Sequence, residues 1–381
     1  MSLIYLDNSA TSFPKAPGVA EAMAEAINNA GSSGRASYDE ALKGSRTIYT
    51  CRENLARLFF VKNSSRIILN SGATESLNTI IQGCLTEGMR VLTSSAEHNS
   101  VMRVLQNAKQ TKGIIIDRFK CHHDGTADLE SYRKFLKKSP KLVILCHSSN
   151  VTGAIFPVKE MIQSAHDRGA LVCIDGAQSA GHRAINLSDM EADFFCFSGH
   201  KGLLGPAGTG GFYIREGLDL DPLTFGGTGS RSSEEYQPEM LPDRFESGTR
   251  NIPGLAGLAA SVSFILNAGV DKIEEKEQNL TDLLIKKLMT IKGMTVFGPS
   301  NRALRNSVIS LTHDTMDVSE LSGLLNDGEI AQRMGLHCSP SAHKVLGTFN
   351  KGGTVRLSPG YFNSEKEIND TVSLIRDILN G

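Results

Sequence analysis

The sequence has no tryptophan and no long apolar run. Its longest apolar stretches, residues 142–146 and 170–174, are far shorter than the roughly 18 residues that a membrane helix needs. The N-terminus also lacks the basic start and extended apolar segment of a secretory signal. We therefore expect no membrane association and a cytoplasmic protein.

An excess of charge of either sign is also missing. Lys and Arg number 40, Asp and Glu number 41, and the formal net charge is −1. This balance predicts no electrostatic attraction to nucleic acid and favours a small-molecule site. The seven cysteines are odd in number and include no Cys-x-x-Cys pair, so neither a disulfide framework nor a metal site is expected.

Short apolar runs alternate with segments of helical periodicity between about residues 66 and 215. This alternation predicts an α/β fold with a parallel sheet and crossover helices. In the first unit, a helix over residues 74–84 has Leu77, Ile80, Ile81 and Cys84 on one face. The predicted strands of this mostly parallel, seven-stranded sheet are residues 66–70, 90–93, 113–118, 141–146, 171–175, 194–198 and 210–214.

The second half of the chain has a different pattern. Residues 224–250 are rich in Gly, Ser and charge, which predicts long loops. Helical patterns return after Pro253 and run through Leu288, and residues 295–296, 307–311 and 354–357 predict strands of a smaller layer. We expect a large domain over residues 16–256 and a smaller α+β domain formed by residues 1–15 and 257–381.

Polar residues follow two of the predicted strands, where open parallel sheets bind their ligands. Asp175 and Gln178 follow LVCI, and Ser198, His200 and Lys201 follow FFCF. Alone, such an Asp is usually a turn residue and such a Lys is usually solvated. Together they fit a pyridoxal cofactor, because lysine supplies an amine for an imine and a carboxylate keeps the pyridine nitrogen protonated.

Ordered motifs along nearly the whole chain carry a family resemblance. They are YLDNSAT at Tyr5, SGATESLN at Ser71, EHNS at Glu97, SNVTG at Ser149, DGAQS at Asp175, SGHKGLLGPAGTG at Ser198, FESGTRN at Phe245, RMGLHCSP at Arg333 and VRLSPGYFN at Val355. In these motifs the sequence resembles the class V group of fold type I pyridoxal-phosphate enzymes, specifically cysteine desulfurases and selenocysteine lyases. The resemblance implies the fold type I architecture and pyridoxal 5'-phosphate as cofactor.

The resemblance also implies roles for individual residues around the cofactor. Lys201 carries the cofactor as a Schiff base and later moves the substrate proton, while Asp175 pairs with the pyridinium nitrogen. Gln178 hydrogen-bonds the phenolic oxygen of the ring, and His98 lies over the ring face. Without the resemblance, His98 would be interpreted as a helix-start residue beside a capping Asn99. The phosphate contacts that the resemblance implies are Ala73, Thr74, Ser198 and His200, at or near a helix start that suits an anion.

The substrate and partner residues come from the same resemblance. Arg356 resembles the arginine that binds the amino-acid carboxylate, for which a planar guanidinium is well suited, and Asn150 is its companion. Asn8 and Ala10 line the entrance. Thr249 resembles a phosphate contact contributed by a neighbouring subunit, which implies a homodimer with shared active sites.

Cys338 lies in GLHCSP, a loop bounded by glycine and proline, where a thiol can reach solvent. A nearby cation or the imidazole of His337 would increase the thiolate population at neutral pH. Its position matches the persulfide-forming cysteine of desulfurases with a compact loop. One departure is the Ser339-Pro340 that follows, where better-known members have an Ala-Gln-Pro run, and it leaves the sulfur-acceptor protein open.

The resulting hypothesis is a cysteine desulfurase that converts L-cysteine to L-alanine and transfers the sulfur to Cys338 as a persulfide, then to an acceptor. Selenocysteine lyase is the first alternative, because it uses the same cofactor and a nearly identical substrate. A class V aminotransferase or epimerase needs Lys201 and Asp175 but no nucleophilic cysteine. A cofactor-bearing scaffold or sulfur-carrier partner without turnover is the remaining alternative.

Overall fold

The computed structural model describes residues 3–32, 37–231 and 233–380, except for the side chain of Asn380. After a short strand β1 (Ile4–Tyr5), a central sheet forms from β2 (Ile67–Asn70), β3 (Arg90–Ser94), β4 (Ile115–Phe119), β5 (Leu142–Cys146), β6 (Leu171–Asp175), β7 (Phe194–Ser198) and β8 (Gly210–Ile214). The strand order is β2-β8-β7-β6-β5-β3-β4. Only β8 runs antiparallel to its neighbours β2 and β7. The predicted mostly parallel, seven-stranded sheet is confirmed.

The strands of this sheet are apolar because both faces are covered. In β5, Val143 and Leu145 enter one hydrophobic core while Leu142 and Ile144 enter the core on the opposite face. Successive side chains of a strand point to opposite faces, so a strand buried on both sides has a continuous apolar run. This is why these strands could be predicted without alternating hydrophobicity.

Helices cover the two faces. They are α1 (Val19–Asn29), α2 (Asp39–Leu58), α3 (Ala73–Cys84), α4 (Asn99–Lys112), α5 (Leu129–Leu136), α6 (Val158–His166), α7 (Leu187–Met190) and α8 (Ile252–Ala268). The helix predicted over 74–84 is present as α3. Helix α8 packs against α1 and α2 through buried residues such as Leu258 and Val262.

A second, smaller layer follows α8. It contains α9 (Val270–Leu288), β9 (Met294–Phe297), β10 (Ile309–His313), α10 (Val318–Asp327), β11 (Ile330–Ala331), β12 (Arg333–Gly335), α11 (Pro340–Leu346), β13 (Thr354–Leu357) and α12 (Glu365–Asn380). The antiparallel order is β12-β13-β10-β9, and residues of α9, α10 and α12 form a separate core against it. Strand β1 pairs in parallel with β11, which joins the N-terminal residues to this layer.

Several predicted boundaries differ from the structure for local reasons. The strand predicted from residue 113 begins at Ile115, because Gly113 adopts φ +61 and caps α4 through a bond from its N–H to Lys109 O. The predicted strand 307–311 begins at Ile309. Strand β12 was not predicted, since its three residues RMG carry no periodic signal. The described part of residues 224–250 contains neither helix nor strand, in agreement with the predicted loops.

The predicted domain boundary at residue 256 lies inside α8, whose buried residues belong to a core of the large sheet. The chain bends by 83° between α8 and α9, at Gly269. The division into two domains remains a prediction, and packing favours a boundary near this bend. Within the described residues, no single helix is long and apolar enough to span a membrane. The bent pair α8 and α9 meets the length and composition criteria only when the two helices are taken together.

Candidate active site

The carboxyl edge of the central sheet brings together the predicted cofactor residues. Asp175 is the last residue of β6 and Ser198 is the last residue of β7, and these two strands pair in parallel. Helix α3 begins at Ala73 just after β2, and the Ala73 N–H donates to Ser198 Oγ at 3.2 Å. Three predicted residues from distant parts of the sequence therefore meet at one edge of the sheet.

Lys201 lies three residues beyond β7 and is half-buried. Burial lowers the pKa of Lys201 because desolvation disfavours the ammonium form; the Asp175 carboxylate opposes this shift and Arg356 adds to it. Cys338 is also close enough to influence the pKa of this amine. A lowered pKa leaves more free amine at neutral pH, and the free amine is the form that reacts with a carbonyl carbon.

The start of α3 has the geometry of an anion site. Gly72 precedes the helix with φ +140, a conformation that favours glycine, and no side chain caps the N-terminus. The Ala73 N–H already donates to Ser198 Oγ, whereas the next backbone amides of this 12-residue helix and the exposed Thr74 are available to a phosphate. Burial lowers the pKa of His200 to about 4, with Lys201 and Lys15 adding to the shift, so its imidazole is neutral at pH 7.

His98 caps helix α4 with its side chain. Its Nδ1 accepts the Ser100 N–H at 3.0 Å, so His98 is the N-cap and Asn99 is the first helical residue. The interpretation of Asn99 as the capping residue was wrong. Burial lowers the pKa of His98 to about 4, although the Asp175 charge opposes the shift. With Nδ1 accepting, the neutral ring carries its proton on Nε2.

Gln178 is buried and fixed by two contacts. Its Nε2 donates to Ser9 O at 2.8 Å, and its backbone carbonyl oxygen accepts from Asn306 Nδ2 at 2.5 Å. The side chain therefore lies beside the N-terminal segment, a position compatible with the predicted contact to the cofactor ring.

Arg356, on β13, is nine-tenths buried and has an acidic partner that was missed from the sequence. Its Nη2 lies 2.8 Å from Asp7 Oδ1, and Asp7 Oδ2 lies 3.2 Å from Arg333 Nε. Arg356 Nη1 donates to Asn150 O at 3.2 Å, whereas the buried Arg356 Nε has no partner among the described residues. One N–H of the predicted carboxylate-binding arginine is thus unpaired and buried.

The two predicted entrance residues differ in their surroundings. Asn8 is buried; its Nδ2 donates to Ser358 O at 3.0 Å and its Oδ1 accepts from Phe13 N at 3.2 Å. The amide of Asn8 thus helps to hold the N-terminal segment, and its entrance role stays a prediction. Ala10 is half-exposed and remains a candidate.

Cys338 is exposed on a tight turn before α11. His337 and Cys338 have φ values of 48° and 57°, and Ser339 N donates to Leu336 O at 2.8 Å. Burial and the nearby Arg356 hold the pKa of His337 far below the ordinary value, so its imidazole is neutral beside the thiol, and its predicted influence on the thiolate stays a prediction. Arg356, whose pKa Cys338 influences, is a cation near the thiol.

Thr249 is exposed and lines a pocket of about 560 Å³. The pocket floor includes Arg52 and Glu246, which form a buried bidentate pair with both N–O distances at 2.8 Å. Glu246 Oε1 also accepts from Leu69 N at 2.7 Å, so this pair fixes the Thr249 loop to strand β2. An exposed position is what a residue serving a neighbouring subunit requires.

Glu97 is a further residue that the sequence did not single out. It is fully buried, its Oε1 accepts from Ser94 Oγ at 2.7 Å and from Cys146 N at 3.3 Å, and its Oε2 has no partner among the described residues. Burial raises the pKa of Glu97 to about 7, and the Asp175 charge adds to the shift. Its position directly before His98 in EHNS was the available signal.

Comparison with known proteins agrees with this arrangement. The family model "Aminotransferase class-V" matches residues 4–370. A "Probable cysteine desulfurase" of Methanothermobacter thermautotrophicus is 32% identical over 372 residues, covering 96% of this chain and 92% of the relative. A protein of Halalkalibacterium halodurans with the same name is 31% identical over 382 residues, which cover 96% of this chain and 90% of the relative.

Solved structures give the same result. The apo cysteine desulfurase from Thermococcus onnurineus NA1 superposes with a TM-score of 0.94 at 31% identity, covering 100% of this chain and 95% of that one. The cysteine desulfurase CsdA from Escherichia coli superposes with a TM-score of 0.89 at 26% identity, and the superposition covers 99% of this chain and 95% of that one. On these grounds, the chain belongs to the aminotransferase class-V family, among relatives that are named cysteine desulfurases.

Proposed function

We propose that this protein is a pyridoxal-phosphate-dependent cysteine desulfurase that converts L-cysteine to L-alanine and receives the sulfur on Cys338. The observation that carries the proposal is the convergence of an amine, a carboxylate, a guanidinium and an exposed thiol. Asp175 ends one strand and Lys201 follows the parallel strand beside it, and Asn150 joins Arg356 to the turn that carries Cys338. The names of the relatives support the same activity.

The residues at the sheet edge fit pyridoxal phosphate. The Lys201 amine, whose pKa is lowered, can hold its aldehyde carbon, Asp175 can pair with the ring nitrogen, and the start of α3 with Ser198 can bind the phosphate. His98 and Gln178 are assigned to the ring, and Thr74 and His200 to the phosphate. When bound, this cofactor supplies a carbonyl for amines and a ring that accepts an electron pair.

Arg356 is proposed to bind the α-carboxylate of the substrate. Its buried, unpaired Nε offers an N–H, and Asp7 with Asn150 O fixes the orientation of the guanidinium plane. A charged donor in a buried site binds a carboxylate strongly and excludes neutral ligands of the same shape.

The protein's own groups then carry out the proton and sulfur transfers. Lys201 Nζ takes the proton from the substrate Cα, for which the free-amine form is required. The Cys338 thiolate attacks the substrate sulfur, so that a sulfur–sulfur bond forms, the carbon–sulfur bond breaks and its electron pair remains on carbon. That carbon regains a proton, and the balance is L-cysteine plus one enzyme thiol giving L-alanine plus one enzyme persulfide.

The exposed Thr249 supports a homodimer in which each subunit completes the phosphate site of the other. Mixing K201A and T249A subunits tests this arrangement. Shared sites predict that activity returns in the mixture, because one of its two sites has an intact Lys201 and an intact Thr249. A mixture no more active than its components would contradict shared sites. A protein acceptor for the persulfide sulfur is the further partner we propose.

Two other activities use the same cofactor site. Selenocysteine lyase is favoured if a C338A variant loses sulfide release from L-cysteine but keeps selenide release from L-selenocysteine. An aminotransferase or epimerase without persulfide chemistry is favoured if C338A retains full activity on its amino-acid substrate.

The decisive experiment adds L-cysteine to the protein reconstituted with pyridoxal phosphate and follows alanine and the mass of the Cys338 peptide. We expect alanine together with a 32 Da increase on that peptide, the mass of one sulfur atom. The matched control is C121A, which removes a half-buried thiol instead. Alanine without any increase, or no alanine at all, would contradict the proposal.

A further inference from the structure

The Cys338 turn is held in a conformation that its residues do not favour. His337 and Cys338 are consecutive non-glycine residues in the left-handed region, with φ of 48° and 57°, in a four-residue turn closed by the Ser339 N–H to Leu336 O bond. Positive φ at both central positions is normally taken by Asn and Gly. Such a turn persists only where its surroundings hold it.

Asn150 and Ser339 supply the contacts that hold this turn. Asn150 Nδ2 donates to His337 O at 2.6 Å, and Ser339 Oγ donates to Asn150 Oδ1 at 2.7 Å. Both ends of one amide side chain are therefore bonded to residues on either side of Cys338. Both side chains are buried, and Ser339 has no exposed surface.

The role of Ser339 differs from that of an ordinary helix cap. Ser339 is the N-cap of α11, where a serine oxygen usually accepts a backbone N–H from the first turn. Here the side chain makes no capping bond and its hydroxyl donates to Asn150 instead. The departure from the Ala that follows the cysteine in better-known members thus provides a hydroxyl that Ala lacks.

Asn150 also lies at the proposed carboxylate site. Its carbonyl accepts from Arg356 Nη1 at 3.2 Å, so the residue that fixes the Cys338 turn is joined directly to the guanidinium. An α-carboxylate bound by Arg356 offers the Asn150 amide a charged acceptor, which forms a stronger hydrogen bond than the His337 carbonyl. Asn150 Nδ2 carries two N–H groups, so the substrate need not take the one that His337 O accepts; a carboxylate that draws the amide towards Arg356 instead moves Nδ2 away from His337 O.

We propose that Ser339 and Asn150 form a latch that holds the Cys338 turn, and that the substrate carboxylate opens it by taking the Asn150 amide. Ser339 is then a positioning residue that couples substrate arrival to the freedom of the thiol. The identity of the ligand rests on the proposed function, whereas the latch itself rests only on the contacts above.

Alkylation of Cys338 by iodoacetamide, followed by mass spectrometry of its peptide, measures the latch without turnover. In the absence of ligand, S339A is expected to react about fivefold faster than the parent protein, because one buried hydrogen bond no longer holds the turn. S339T retains a hydroxyl and is expected to react at close to the parent rate. S341A is the matched control, since it removes a serine hydroxyl from the same helix without touching the latch.

L-Alanine, which has the α-carboxylate but no sulfur, is the probe for release. With pyridoxal phosphate bound, saturating L-alanine is expected to accelerate alkylation in the parent protein and S341A, and to accelerate it less in S339A. Equal rates for S339A and the parent protein without ligand would overturn the latch. If L-alanine accelerated alkylation equally in S339A and the parent protein, or slowed it in both, the proposed opening of the latch by the carboxylate would be overturned.

The outcomes separate this proposal from the proposed function. A protein that forms no alanine from L-cysteine but shows faster alkylation in S339A has the latch without the activity. A protein that forms alanine and persulfide but shows no difference between S339A and the parent has the activity without the latch. Thermal melting of each variant confirms that the compared samples are folded.

Discussion

Replacing Glu97 by glutamine should make the protein more stable at alkaline pH and leave it unchanged near pH 4.5. Glu97 is fully buried, and its surroundings raise its pKa from 4.5 to about 7. Burial is the largest cause and the Asp175 charge adds to it, while the bonds from Ser94 and from the Cys146 N–H act in the opposite direction. His98, the next residue, is neutral in this range and contributes no charge.

The direction in which the free energy of unfolding changes with pH depends on whether the folded or the unfolded state holds the Glu97 proton. Between about pH 4.5 and 7 the unfolded chain loses the Glu97 proton while the folded protein keeps it, so the free energy of unfolding falls as the pH rises. The pKa difference corresponds to about 3 kcal/mol in the free energy of unfolding, and the parent protein has lost all of this stabilisation above pH 7. Glutamine has the same shape, can accept the same two hydrogen bonds and does not titrate, so E97Q does not incur this loss.

Urea unfolding from pH 4.5 to 8 measures the difference. The stability of E97Q relative to the parent protein should increase with pH and level off above 7. E97A is the control, because it leaves the Cys146 N–H without its acceptor and creates a cavity, and it should be destabilised at every pH. A difference between E97Q and the parent protein that does not vary with pH would refute the reasoning.

Four further results are expected. D7N should raise KM for L-cysteine about tenfold with a smaller effect on kcat, because the charged partner of Arg356 is lost while its shape remains; an unchanged KM would contradict this role. C338S should lose persulfide formation but keep the absorbance of bound cofactor and the parent's melting temperature, and loss of the absorbance would instead place Cys338 in the cofactor site. Iodoacetamide should modify Cys338 long before Cys51, whose pKa burial raises to about 12, as peptide mapping can show; comparable rates would contradict the burial. Because the pKa of His98 is lowered to about 4, titration of His98 should not change the activity between pH 5 and 8. H98A should therefore lower kcat without changing the shape of the pH profile in that range.

Much of the large sheet could be predicted because its strands carry a local signal. Strands such as β5 and β6 are apolar on both faces, and the chain must return between parallel strands through a helix. Once the sheet is predicted, its carboxyl edge is a known ligand site, so the meeting of Asp175 with Ser198 and Lys201 follows. The cofactor edge was therefore accessible from the sequence.

Contacts between distant loops had no such signal. Asp7 and Arg356 are 349 positions apart and Ser339 and Asn150 are 189 apart, and even the predicted strand that carries Arg356 does not indicate its partner. Nothing in a hydrophobic pattern states which loops approach each other in the folded chain. The capping role of His98 was missed for a different reason, since Asn is the commoner cap and directly follows it.

The pairing of β12 with β13 explains why the N-terminal segment belongs to the site. Arg333 and Arg356 are directly opposite in this antiparallel pair, and like charges in that position repel. Each oxygen of Asp7 contacts one of them, so a single carboxylate bridges the buried Arg356 and the exposed Arg333 and offsets their repulsion. Asp7 is held there by the bond from Leu6 N to Ala331 O, next to the pairing of β1 with β11. The first strand of the chain therefore serves to place the counter-charge of the proposed substrate-binding arginine, and a variant without β1 should lose carboxylate affinity even if the central sheet remains intact.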